Sequence, residues 1–131
     1  MSEELLFLVV DDSRLHHQMY DIIFSKPPFQ GARVLHAANG REGYALFATH
    51  PELTMVFLDL NMPEMNGLEF LARRRAEQLH PHVPVVLVTT ESTPADEARG
   101  RDAGAWEYLR KPFTPEDIQR LVARARPAPR A

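Results

Sequence analysis

Four short apolar runs, each ending in a charged or hydroxyl side chain, constrain this chain more than any other feature. Leu5-Leu6-Phe7-Leu8-Val9-Val10 stops at Asp11 and Asp12, and Leu53-Thr54-Met55-Val56-Phe57-Leu58 stops at Asp59. Val83-Pro84-Val85-Val86-Leu87-Val88 stops at Thr89, and Trp106-Glu107-Tyr108-Leu109-Arg110 stops at Lys111. Apolar runs separated by helix-like stretches are the signature of parallel strands buried on both faces. Open α/β sheets bind ligands outside the carboxyl ends of their strands. All four polar clusters therefore fall on one sheet edge, where carboxylates, a hydroxyl and an ammonium suit a divalent cation and a phosphoryl group.

The stretches between the runs read as helices. Ser13 can cap a first helix whose apolar face is Leu15, Met19, Ile22 and Ile23, and Pro27-Pro28 ends it. Ala32 to Ala37 reads as the second strand of the chain. Gly40 to His50 follows as a helix with Gly43, Leu46, Phe47 and His50 on one side. A helix from Asn66 to about Leu79 turns Leu68, Leu71, Ala72 and Leu79 inward. Pro94 to Ala103 has only Ala95, Ala98 and Ala103 to bury, so this fourth helix should be the least firmly attached. Ile118, Leu121, Val122 and Ala125 give the last helix a clean stripe, with Pro115 in its first turn. Five strands alternating with five helices make an α/β domain.

Bulk properties narrow the function classes. A chain of 131 residues suffices for one domain with a proper core and is too short for two. A formal charge of -3 gives no basic footprint for nucleic acid, so none is expected as a direct partner. Cysteine is absent, which excludes disulfides, thiolate metal sites and cysteine nucleophiles. No apolar run approaches the roughly 20 residues of a membrane span, and the acidic start Met1-Ser2-Glu3-Glu4 is no secretory signal. No membrane insertion and a cytoplasmic location are the expectation.

The strings LVVDDS, DLNMPEMNG, VTTE and YLRKPF resemble those of response-regulator receiver domains, the CheY-like family of two-component signalling. The likeness runs from about Leu5 to Val122, and the aspartate pair, acceptor aspartate, threonine and Lys-Pro occur in family order. The resemblance implies a doubly wound, flavodoxin-like (βα)5 fold with a five-stranded parallel sheet in the order 2-1-3-4-5. This family is itself a usual example of that order, so the order follows from the resemblance and not from the periodicity. The expected division is a receiver (response regulatory) domain over residues 1–126 and a flexible tail over 127–131. The stretch Ser25 to Gly31 looks longer than the usual family loop, and nothing in the sequence explains it.

Three carboxylates at one edge need a counter-charge. Two unit charges about 4 Å apart repel by roughly 4 kcal/mol at an effective dielectric near 20. All-oxygen donors in an open site suit Mg²⁺, which keeps several waters. By resemblance, Asp12, Asp59 and the backbone carbonyl of Asn61 bind the metal directly, and Asp11 acts through water. Asp59 is the expected phosphoacceptor nucleophile, forming an acyl phosphate. Lys111 and Thr89 supply a cation and a hydroxyl to the phosphoryl oxygens. Thr90 is the adjacent competitor, and the family register favours Thr89. A cis peptide between Lys111 and Pro112 is expected, as is usual in the family. Thr89 and Tyr108 are the expected switch pair, with Tyr108 filling space that Thr89 vacates. Trp106 should share the face of Tyr108. His16 and His17, adjacent on a helix, read as solvated surface.

The function implied is that of a phosphoacceptor response regulator. A histidine kinase or phosphotransfer protein donates the phosphoryl group with Mg²⁺ present. A downstream protein then binds the surface of the fourth helix, fifth strand and fifth helix. Such a chain is a signalling switch, not an enzyme, catalysing only its own phosphorylation and dephosphorylation. A receiver excised from a longer response regulator or hybrid kinase is the alternative, the Pro-Ala-Pro tail being its linker. Phosphatases of the haloacid dehalogenase type carry a second aspartate two residues beyond the nucleophile. Asn61 stands there and cannot transfer a proton in that role, which argues against turnover. A degenerate receiver is opposed by the intact residue set. Asn61 and Glu91 flank the path of attacking water, so the acyl phosphate should be short-lived.

Overall fold

The computed structural model describes residues 4–62, 64–90 and 93–125. The tail expected over 127–131 lies outside these residues, as does Glu91. Five strands, β1 (Leu6–Val10), β2 (Arg33–Ala37), β3 (Met55–Asp59), β4 (Val85–Thr89) and β5 (Glu107–Arg110), form one sheet. All neighbours pair in parallel in the order β2-β1-β3-β4-β5, as expected for a doubly wound α/β fold. The helices are α1 (Arg14–Phe24), α2 (Gly40–Ala48), α3 (Gly67–Glu77), α4 (Pro94–Asp102) and α5 (Pro115–Ala125).

Strand composition matches position. The three central strands are buried at every residue, which is why their sequences run apolar without alternation. The period of two then deals their side chains to two cores. Leu8, Val10, Val56, Leu58, Val85 and Leu87 pack with Tyr44, Phe47, Phe70 and Leu71 on the α2–α3 side. Phe7, Val9, Met55, Phe57, Val86 and Val88 pack with residues of α1 and α5 on the other. The second core is aromatic: the Phe7 and Phe24 rings stack at 4.1 Å, and Tyr20 lies 5.4 Å from Phe57. Each such ring contributes about 1.5–3 kcal/mol by burial.

Helix faces depart from expectation in three places. On α1, Leu15 is 64 % and Ile22 56 % exposed, whereas Tyr20, Ile23 and Phe24 are buried. Apolar residues occur on both sides of this helix, and the sheet takes the side with two rings. On α3 Phe70, Leu71 and Arg74 are buried, and Leu68 and, just past the helix, Leu79 pack half-buried against the same core as expected, while Ala72 is exposed. On α4 the buried residue is Gly100, and Ala95 and Ala98 face solvent. A Cβ at Gly100 would sit 2.8 Å from Leu87 Cδ1 and 3.4 Å from the Tyr108 ring, so the helix approaches the sheet through its one residue without a side chain.

Trp106 also differs. It precedes β5, where strand alternation does not apply, and joins the α5-side core under the Arg124 guanidinium at 5.2 Å. Tyr108 packs on the opposite side of the sheet. The long loop after α1 has a packing role: Phe29 is buried, edge-on to Phe24 at 5.1 Å and to Phe7 at 5.9 Å. Both Pro27-Pro28 and Lys111-Pro112 are cis. Arg74, buried at the end of α3, donates to the carbonyls of Leu79 (3.3 Å), His80 (2.8 Å) and Val83 (2.6 Å).

Candidate functional site

Parallel register brings the predicted residues to one edge. Val10 pairs with Leu58 and Asp59 with Val88, so Asp11, Asp59 and Thr89 lie at the carboxyl ends of three adjacent strands. Thr89 pairs with Arg110, and the Lys111 amide donates to the Thr89 carbonyl at 2.7 Å. Asp11, Asp59, Thr89 and Lys111 are all buried, and Asp12 is exposed.

The carboxylates cluster. Asp11, Asp12 and Asp59 each place an oxygen within 4.8 Å of the others. Lys111 Nζ lies 3.0 Å from Asp11 Oδ2 and 3.6 Å from Asp59 Oδ2, so the ammonium sits between the two buried acids. Asp11 Oδ1 accepts from the Ser13 amide at 2.8 Å, and Asp59 Oδ1 from the Asn61 amide at 3.2 Å. Asn61 itself is exposed. Burial pushes the Asp59 carboxyl above its ordinary pKa; Lys111 opposes this, while Asp11 and Asp12 add to it. One ammonium therefore does not neutralise the cluster. An all-oxygen donor set open at Asp12 fits a hard divalent cation that retains water.

His16 was not expected here. Its Nδ1 lies 3.0 Å from Asp11 Oδ2 and 3.0 Å from Lys111 Nζ, so it caps the site instead of lying in solvent. His17 is likewise half-buried and reaches the Asp11 backbone carbonyl at 2.7 Å. Tyr108 is partly buried beside α4, its hydroxyl enclosed and without a hydrogen-bond partner among the described residues. Burial raises its pKa, with Asp96 and Glu97 contributing. Among the described residues no helix is long and apolar enough to cross a membrane.

A family model, response regulator receiver domain, matches residues 7–123. A chemotaxis protein CheY homolog of Campylobacter jejuni is 36% identical over 112 residues, covering 86% of this chain and 85% of its own. Chemotaxis protein CheY1 of Helicobacter pylori is 33% identical over 112 residues, covering 86% and 89%. Among solved structures, the chemotaxis protein CheY4 of Vibrio cholerae superposes with a TM-score of 0.81 at 32% identity, covering 94% of this chain and 99% of that one. Fold order, family match and relatives of nearly equal span agree: this chain belongs to the response regulator receiver domains, of the CheY type.

Proposed function

We propose that Asp59 is the phosphoacceptor of a two-component signalling switch. The observation that carries this is a buried carboxylate at a strand end, held between one ammonium and two further carboxylates. An Asp59 oxygen attacks the phosphorus of a donor phosphohistidine. The phosphorus–nitrogen bond breaks with its electron pair going to the donor imidazole, and an acyl phosphate remains. Charge builds on the equatorial oxygens, where Lys111 supplies a cation and Thr89 a hydroxyl donor. Asp12, Asp59 and the Asn61 carbonyl hold Mg²⁺ in this reading, with Asp11 acting through water. When bound, the ion offsets the repulsion among the carboxylates and the incoming phosphoryl group.

The donor is a histidine kinase or phosphotransfer protein. Leu15 and Ile22, exposed on α1 beside the site, give it an apolar surface to dock on. Output runs through the α4–β5–α5 face to a downstream protein, with Thr89 and Tyr108 as the switch. The setting is cytoplasmic, and the receiver unit is taken as residues 1–126 with a tail beyond. Asp59→Asn should abolish phosphoryl uptake from acetyl phosphate in the presence of Mg²⁺ while leaving the circular dichroism spectrum unchanged. Intact uptake in that variant, read by mass spectrometry, would move the acceptor elsewhere.

A further inference from the structure

Two histidines outside the acidic cluster face each other across the groove between α1 and β2. His17 and His36 bring their Nδ1 atoms to 2.5 Å with ring planes 72° apart. The second nitrogen of each ring is already engaged. His17 Nε2 lies 2.7 Å from the Asp11 backbone carbonyl, and His36 Nε2 lies 2.8 Å from Asp21 Oδ1. A carbonyl and a carboxylate only accept, so both Nε2 atoms carry hydrogen, and in their neutral forms both rings turn a Nδ1 lone pair inward. Two such lone pairs at this separation repel unless a positive centre lies between them.

Converging ring nitrogens whose opposite N–H groups donate to a carbonyl and a carboxylate are the arrangement that orients metal-ligating histidines. The groove adds negative charge: among the described residues Asp11, Asp12, Asp21 and Glu42 line it, against Arg14 as the one cation. Both rings are only half-buried, so an ion has access. We propose that His17 and His36 form a two-nitrogen site for a first-row divalent transition metal such as Zn²⁺, Ni²⁺ or Cu²⁺. Imidazole selects these ions, whereas the carboxylate cluster selects hard ones. With metal–nitrogen bonds of ~2.0–2.1 Å, cis ligands stand about 2.9 Å apart and tetrahedral ones about 3.3 Å. The rings therefore need to part only slightly, and water in the groove completes the coordination. A bound ion ties α1 to β2 directly. The site does not depend on Asp59 being the phosphoacceptor.

Zn²⁺ titrated into the full chain under saturating Mg²⁺ tests the assignment, with ¹⁵N NMR of the histidine rings as readout. The His17 and His36 Nδ1 signals should shift together up to one equivalent while both Nε2 atoms stay protonated. His36→Gln should weaken Zn²⁺ binding about tenfold or more, and His82→Gln, remote from the groove, should leave it unchanged. The ring signals are read on the unaltered protein, so the result stands even if a variant folds poorly. Nδ1 signals that report one shared proton throughout the titration would overturn the site. So would equal Zn²⁺ affinity in His36→Gln.

Discussion

Helices α4 and α5 flank the same edge strand but are attached by different means. α5 buries Ile118, Leu121 and Val122 in the core that holds Phe57, Val86 and Val88. α4 buries only Gly100. Beyond that, Ala103 at its C-cap packs half-buried against the core and Arg101 reaches Glu107 at 2.7 Å, while the Thr93–Asp96 capping box and the Arg99–Asp96 pair hold the helix only to itself. Exposed ion pairs contribute about 0–1 kcal/mol each, well below one buried aliphatic side chain. The difference separates a fixed wall from a movable one. If Asp59 is the phosphoacceptor, the α4 side should yield to the added charge more readily than the α5 side.

The largest effect that would sharpen this contrast is on α5. Ile118→Ala should destabilise the fold by about 2–5 kcal/mol in urea denaturation. A loss below that of a surface substitution would mean that α5 is no anchor. Next comes hydrogen exchange with and without beryllofluoride. Amides of 93–104 and around Tyr108 should change exchange rate by about tenfold, or ~1.4 kcal/mol, while α5 amides stay within error. Equal changes in both helices would dissolve the comparison.

A smaller effect is expected at the α4 contact. Gly100→Ala gains about 0.5–1 kcal/mol of helix propensity but meets Leu87 Cδ1 at 2.8 Å, and overpacking costs about 1–3 kcal/mol. A net loss near 1 kcal/mol is expected by chemical denaturation. A gain would show that α4 can ride farther from the sheet at no cost. The smallest effect concerns Asp59 itself. The folded state raises the Asp59 pKa, so it binds that proton more tightly than the unfolded chain does. Stability is lost as pH rises from the unfolded carboxylate value near 3.9 through the folded one. Asp59→Asn should therefore melt higher than the parent chain at neutral pH, with the gap closing below about pH 4. A gap of constant size across that range would remove titration as its cause.

The sheet and its acidic edge were legible because strand ends are marked locally: a buried run stops where a charge begins, as at Asp11 and Asp59. Helix rotation was less legible. On α1 the expected set Leu15, Met19, Ile22 and Ile23 has helical spacing, but so does Tyr20, Ile23 and Phe24; they share Ile23, and only the sheet decides between them. That single ambiguity also concealed both histidines. His16, Tyr20 and Ile23 fall at intervals of four and three, as do His17, Asp21 and Phe24. Once the aromatic side faces inward, His16 turns to Lys111 and His17 to His36. Trp106 stands one residue before β5, so the alternation that would place it on the face of Tyr108 does not reach it. The loop from Ser25 carried no signal for Phe29, whose partners Phe7 and Phe24 lie on other elements.

Arg74 stands between two other arginines on α3, and the three positions are unequal in what they tolerate. Arg73 pairs with Glu77 at 3.2 Å and lies over the Tyr44 ring at 4.4 Å, and Arg75 is exposed, so a lysine at 75 keeps most of what the side chain does and one at 73 keeps the charge but not the planar stacking. At Arg74 a planar fork meets three backbone carbonyls at the entrance to β4. A lysine ammonium is a compact point charge that cannot span those acceptors as the guanidinium does. Among sequences that keep this turn, basic character alone therefore does not suffice at position 74, and arginine is the residue the turn requires.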